Sequence, residues 1–197
     1  MKNKLIVFEG IDGVGKSSLA RALVEYLRNH KIAAVCYEDT ENKQEGYNLI
    51  KPFIKKNATI DASLLFYLSS AIFKSRRITE LLQHYFVICD RYIYSTLAYH
   101  KIRGAKNNLI INYQKLPILS PDYLFLITAN EQMRIKRIKA RKKIDLDDLK
   151  TKKRGNLVWK TEQEYKKYAP IIIDNSENNY NVALNQILKI LAKKISN

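Results

Sequence analysis

An apolar run, Leu5-Ile6-Val7-Phe8, breaks directly into Glu9-Gly10-Ile11-Asp12-Gly13-Val14-Gly15-Lys16-Ser17-Ser18, and a helical pattern takes over from residue 16 to 29. A short buried strand entering a tight loop that opens a helix accommodates three glycines there, because glycine lets the backbone wrap closely around an anion with its N–H groups turned inward. Gly10, Gly15, Lys16 and Ser17 satisfy G-x-x-x-x-G-K-[ST], the phosphate-cradling loop, in the strand–loop–helix setting that the motif requires. The helix that follows turns its positive end toward the same anion. Lys16 is placed to neutralise β- and γ-phosphates, and the Ser17 hydroxyl to bind Mg2+. The stretch from Gly10 to Ser18 is therefore expected to hold a nucleoside triphosphate.

Hydrophobic periodicity places further strands after this one, giving 4–8, 33–37, 86–89, 123–128 and 171–173 in all. Helical patterns cover 16–29, 46–56, 62–83, 93–102, 131–141, 156–168 and 182–195. The strands are nearly continuous apolar runs, as expected where helices cover both faces of a parallel sheet. The expectation is a doubly wound α/β domain of the P-loop NTPase type, with five parallel strands in a single domain over residues 1–197. No repeat or Pro/Gly/Ser linker divides it.

A second constellation, Val87 to His100, ends the third strand with Asp90-Arg91 at its carboxyl edge, where open α/β sheets bind ligands. Asp90 is expected to hold Mg2+ or its water with Ser17. Arg91 is expected to grip a second phosphate with its planar fork. A helix cap beside a solvated charge is the plain alternative for an adjacent Asp and Arg, and the phosphate loop upstream weighs against it.

Between Glu131 and Arg154 there are 11 Lys or Arg and 4 Asp or Glu, a local excess of +7. Arg134, Arg137 and Arg141 recur at helical spacing and can share one face. A solvated basic face, a nucleic-acid stripe with Trp159 as its nearest stacking aromatic, and a mobile lid that stabilises a transferring phosphoryl group all fit this composition. The lid is expected over about residues 138–154.

Overall charge points the same way without choosing: 35 Lys and Arg exceed 19 Asp and Glu, a formal +16, which favours nucleic acid, anionic membranes or polyphosphate nucleotides alike. The longest uncharged stretch is 12 residues, too short to span a membrane, and no export signal is expected from the four-residue apolar run near the start. Cys36 and Cys89 each lie in an apolar segment and are expected to be buried core thiols in a reducing, cytoplasmic setting. No guanine-reading Asn-Lys-x-Asp follows a strand, since Asn42-Lys43-Gln44-Glu45 has the wrong acid, which excludes an ordinary GTPase. The chain is too short for a helicase. A small kinase fits.

Together, Phe8 to Ser18, Asp90-Arg91-Tyr92 with Ser95 and Ala98-Tyr99, and Ser120-Pro121-Asp122 before the fourth strand resemble the thymidylate kinase family. The resemblance runs over most of the chain. It implies a homodimeric, cytoplasmic enzyme that moves the γ-phosphoryl of ATP onto a deoxynucleoside monophosphate with Mg2+. It also implies that Asp12 and Glu9 lie near the acceptor sugar and metal, that Arg91 binds the acceptor phosphate, that Phe66 stacks on the base and that Tyr99 crowds the 2′ position. The catalytic arginine of the family comes from the phosphate loop or from the lid. Position 13 here is glycine, so the lid is expected to supply it through Arg141, with Arg137 one turn earlier.

The chain departs from the family at three places. The family's Arg-Glu-Pro-Gly after the second strand is Tyr37-Glu38-Asp39-Thr40, its base-reading Arg four residues after the stacking aromatic is Ser70, and an Asn that contacts the base in some members is Thr96. Lys74, one helical turn beyond Ser70, is expected to lean back over that patch and read the base in the arginine's stead. A deoxynucleoside kinase, a monophosphate kinase of relaxed base preference and a nucleic-acid-stimulated ATPase remain as alternatives, the last being the least favoured.

Overall fold

The computed structural model describes residues 2–38, 45–106, 109–110, 112–140 and 155–195. Strands β1 (Leu5–Glu9), β2 (Ala34–Glu38), β3 (Phe86–Asp90), β4 (Tyr123–Thr128) and β5 (Ile171–Asp174) form one parallel sheet in the order β2-β3-β1-β4-β5. They are joined by α1 (Lys16–Asn29), α2 (Glu45–Asn57), α3 (Ile60–Leu81), α4 (Ile93–Ile102), α5 (Glu131–Lys139), α6 (Gly155–Lys166) and α7 (Asn181–Ile195), with a 3-10 turn at Asn112–Lys115.

Alternation along β1 divides the core between the two faces of the sheet. Ile6 and Phe8 pack with Leu19 and Leu23 of α1 and Ile187 of α7, whereas Leu5 and Val7 pack with Leu64 and Ile78 of α3 and Leu97 of α4. All of these side chains are fully buried, each contributing about 1.5–3 kcal/mol of transfer free energy. Helices on both faces are why the strands read as unbroken apolar runs.

Local chemistry moves the helix ends from where periodicity puts them. The Thr59 hydroxyl accepts from Ala62 N at 3.2 Å, so α3 starts at Ile60 rather than residue 62, and the chain turns back beyond Leu81. The Asn130 side chain caps α5 in the same way, accepting from Met133 N at 2.8 Å. Asp122, of the Pro-Asp pair, accepts from Leu5 N at 2.8 Å and from the Lys4 ammonium at 3.0 Å, locking the start of β1 beside β4. Cys89 is buried as expected; Cys36 is half-buried, a correction. Among the described residues no helix is long and apolar enough to cross a membrane.

The central strand sets the site. The chain leaves β1 toward the β2 edge and leaves the adjacent β3 toward β4 on the other side. Neighbouring strands whose connections part in opposite directions open a crevice at their carboxyl ends, where ligands bind in open α/β sheets.

Candidate functional site

β1 and β3 pair with Phe8 opposite Asp90, so the loop that follows Glu9 and the Asp90-Arg91 pair emerge side by side. The phosphate-type loop is built on glycines in left-handed conformations. Gly13 has φ +85 and Gly15 φ +94; a Cβ on Gly15 would meet the Asn175 amide nitrogen at 2.5 Å. At the head of α1, Lys16 is only 6% exposed and donates from Nζ to Ile11 O at 2.9 Å. Burial and the nearby Arg91 charge lower its pKa to about 8, against the pull of Asp90, Asp12 and Glu9. The next residue, Ser17, donates from its hydroxyl to Asp90 Oδ2. Asp90 Oδ1 is buried and has no hydrogen-bond partner among the described residues.

Arg91 sits across the loop from Lys16. Its backbone is left-handed, φ 69, a conformation that costs a non-glycine residue on the order of 1 kcal/mol or more. Hydrogen bonds on both peptide groups hold it there: Arg91 N donates to Phe8 O at 2.9 Å, and Arg91 O accepts from Lys74 Nζ at 2.5 Å. The guanidinium that results from this turn reaches Asp12 Oδ1 at 2.5 Å, Ser95 Oγ at 3.1 Å and Tyr165 Oη at 3.4 Å, and lies 5.7 Å from the centre of the Tyr99 ring.

Glu9 underlies this cluster. It accepts from Tyr92 N at 2.8 Å and Ser95 N at 3.1 Å at the start of α4, and from the Ser95 hydroxyl. Burial pushes its carboxyl above the usual carboxylate range, opposed by the Ser95 hydroxyl, the Arg91 charge and the two N–H donors.

On the far side of the loop, α5 presents two arginines. Arg137 donates from NH1 to Val14 O at 3.2 Å and Asn175 O at 2.8 Å, and from NH2 to Glu177 O at 2.9 Å. Arg134, one turn earlier, is 6% exposed and donates from Nε to Asp12 O at 3.1 Å.

Comparison with known proteins agrees with this arrangement. A family model described as thymidylate kinase matches residues 8–187, most of the chain and every element from the phosphate loop into α7. The chain belongs to the thymidylate kinase family. A thymidylate kinase from Brachyspira hyodysenteriae is 31% identical over 143 residues, covering 70% of this chain and 69% of that one. One from Caldicellulosiruptor saccharolyticus is 30% identical over 152 residues, 74% of each. The solved thymidylate kinase structure from Candida albicans superposes with a TM-score of 0.73 at 21% identity, over 98% of this chain and 92% of that one, and so shares the fold.

As a thymidylate kinase family member, the chain brings Glu9, Asp12, Lys16, Ser17, Asp90, Arg91 and Tyr99 together at one sheet edge, as the motifs imply. Phe66 and Ser70 on α3 and Thr96 on the facing α4 are all half-buried. Arg141, the first choice for a catalytic arginine, lies outside the described residues, with the rest of the lid segment to 154.

Glu9, at 1% exposed, caps α4 from beneath the cluster. Two expectations are corrected by geometry. Lys74 does not lie over Ser70 as a base reader; it is 4% exposed, with its ammonium on Arg91 O and 5.2 Å from the Tyr37 ring centre. Arg137 is not a mobile lid cation, because three main-chain carbonyls hold it. Tyr165, 1% exposed and against both Ser95 and Arg91, was not anticipated, and its spacing of four from buried Thr161 on α6 is the signal that marks it.

Proposed function

We propose that this protein transfers the γ-phosphoryl group of ATP to thymidine monophosphate, releasing ADP and thymidine diphosphate. The observation that carries the reading is the meeting of two cationic phosphate grips, Lys16 and Arg91, near Asp12 at one sheet edge. One belongs to a nucleotide-phosphate loop and the other to a separate strand end, the layout that a phosphoryl donor and a phosphorylated acceptor require.

In this reading the loop N–H groups, the α1 terminus and Lys16 hold the β- and γ-phosphates. Arg91, pre-aimed by Asp12, Ser95 and Tyr165, holds the acceptor phosphate in line. Tyr99, beside Arg91, crowds the sugar's 2′ position and favours deoxyribose. Mg2+ fits the residues present, since Asp90 keeps a buried carboxylate oxygen with no partner among the described residues beside the Ser17 hydroxyl. Those two residues would hold the ion, which when bound neutralises charge on the donor phosphates. Phe66 supplies the stacking surface for the base.

A second copy of the chain is the proposed partner. Leu49 and Phe53 of α2 are 77% and 63% exposed, and Leu65 and Phe73 of α3 53% and 61%, an apolar surface that pairing would cover. Light scattering showing a monomer would end that part of the reading.

Base discrimination is proposed to be weak, because Ser70 is short and Lys74 is turned to Arg91 O. The test of the whole is ADP release measured across nucleosides and deoxynucleoside monophosphates, in the wild type and in Ser70→Arg. Activity on thymidine but not its monophosphate would make the protein a nucleoside kinase. Ser70→Arg should sharpen thymine over cytosine by roughly 5- to 150-fold, the worth of about 1–3 kcal/mol for a bidentate contact.

A further inference from the structure

The far edge of the sheet takes hold of the phosphate loop at one atom, the carbonyl oxygen of Val14. Asn175 directly follows Asp174, the last residue of β5. Its main chain is fixed on both sides: Asn175 N donates to Thr128 O at 2.8 Å, and Asn175 O accepts from Arg137 NH1 at 2.8 Å. From that anchorage the side chain donates from Nδ2 to Val14 O at 2.8 Å, and Arg137 NH1 reaches the same carbonyl at 3.2 Å. A carbonyl only accepts, so the end of the amide that meets it is the donor. The asparagine is 3% exposed, and its Oδ1 is buried with no hydrogen-bond partner among the described residues. Burying an amide with one end unpaired is unfavourable, so packing alone gives no reason for this residue. Its engaged end is the one on the loop.

A peptide group is planar, and no cis bond occurs among the described residues, so the Val14 carbonyl and the Gly15 N–H point in opposite directions. Holding Val14 O on Asn175 therefore turns the Gly15 N–H away from β5 and back into the loop. Gly15 takes this orientation with φ +94 at the N-terminus of α1, where a Cβ would stand 2.5 Å from Asn175 Nδ2. The same peptide turned over would set a carbonyl oxygen toward an anion in the loop.

We propose that Asn175 is a positioning residue for the nucleotide: by holding Val14 O it aims the Gly15 N–H at the phosphate chain. This rests on the kinase reading above, and within it only on the loop's grip on a nucleoside polyphosphate.

The test uses the intact chain and calorimetry with two ligands, ADP and inorganic tripolyphosphate, the second offering phosphates and no base. Asn175→Ala should weaken both about tenfold, the order of one hydrogen bond to a charged group. In turnover its ATP KM should rise by a similar factor, with the KM for thymidine monophosphate within about threefold of wild type. Asn175→Asp keeps the shape and sets a carboxylate oxygen against Val14 O, whereas its protonated form has a hydroxyl that can donate there. The ADP affinity of Asn175→Asp, taken relative to Asn175→Ala, should therefore be lowest near about pH 8 and recover toward about pH 5.5. An ADP affinity of Asn175→Ala within twofold of wild type would overturn the proposal. So would a loss for ADP without one for tripolyphosphate, which would assign the amide to the base, or an Asp-to-Ala ratio that does not change with pH. If Asn175→Ala does not fold, Asn175→Asp carries the pH readout against wild type. If wild type binds ADP but phosphorylates no deoxynucleoside monophosphate, the kinase reading falls, while the two affinities still decide the role of Asn175.

Discussion

The Lys74 ammonium is hydrogen-bonded to the main-chain carbonyl of Arg91 at 2.5 Å, beneath a residue whose φ of 69 places its side chain in the site. A helix interior thereby holds a strained turn that no glycine relieves. Lys74→Met keeps the apolar stem and removes the donor. Unfolding free energy should drop on the order of 1–3 kcal/mol, the cost of a buried acceptor left short of its partner. The acceptor KM should rise while the ATP KM stays near wild type, measured by urea titration and steady-state kinetics. An equal rise in both would show general loosening instead of a turn released.

Lys16 titrates near pH 8 because burial and Arg91 disfavour its charge. Phosphates beside it favour the charged form and raise that pKa. ADP binding between about pH 8 and 9 should therefore take up protons, seen as a dependence of the binding heat on buffer ionisation enthalpy. Lys16→Met should show no such uptake from this group. Proton release by wild type in that range would contradict the placement.

Glu9 has a folded pKa above its unfolded value, chiefly from burial. Between those two values the folded chain binds more protons than the unfolded one, so stability falls as pH rises through that window and is greater on its acid side. Glu9→Gln can still accept from Tyr92 N and Ser95 N and can donate to the Ser95 hydroxyl. It should flatten that part of the stability–pH curve, followed by urea unfolding from pH 4.5 upward. An unchanged slope would assign the effect elsewhere.

Arg137 bridges the phosphate loop to the chain after β5 through Val14, Asn175 and Glu177 carbonyls. Arg137→Ala should raise the ATP KM several-fold and leave the acceptor KM nearly unchanged. A large fall in kcat with unchanged ATP KM would return Arg137 to the chemical step.

The sheet and the loop were readable because their signals are local. Leu5 to Phe8 must be buried on both faces, and the glycines that follow permit φ values few other residues adopt. The roles of the lysine and arginines were not local. Arg134 and Arg137 stand about 60° apart around α5, and which of them meets Asp12 and which meets Val14 depends on where α5 seats against the loop and β5. Lys74 reads in sequence as a base-facing cation one turn beyond Ser70, whereas its ammonium is held by Arg91 O, 17 positions away. Tyr165 lies 74 residues from the arginine it supports, and only the packing of α6 on α4 brings them together.

The contacts that build the site also bear on how the chain acquires it. Glu9 meets Ser95 across 86 residues, Asp12 meets Arg91 across 79, and Arg134 meets Asp12 across 122. Closing loops of that length is slow, and the contacts reward it only once the whole sheet pairs. A fragment ending before β3 would carry the entire phosphate loop and have nothing opposite it. Activity regained on dilution from urea should therefore appear with the last structural phase of refolding and never before it, which makes turnover itself a reporter of the completed fold.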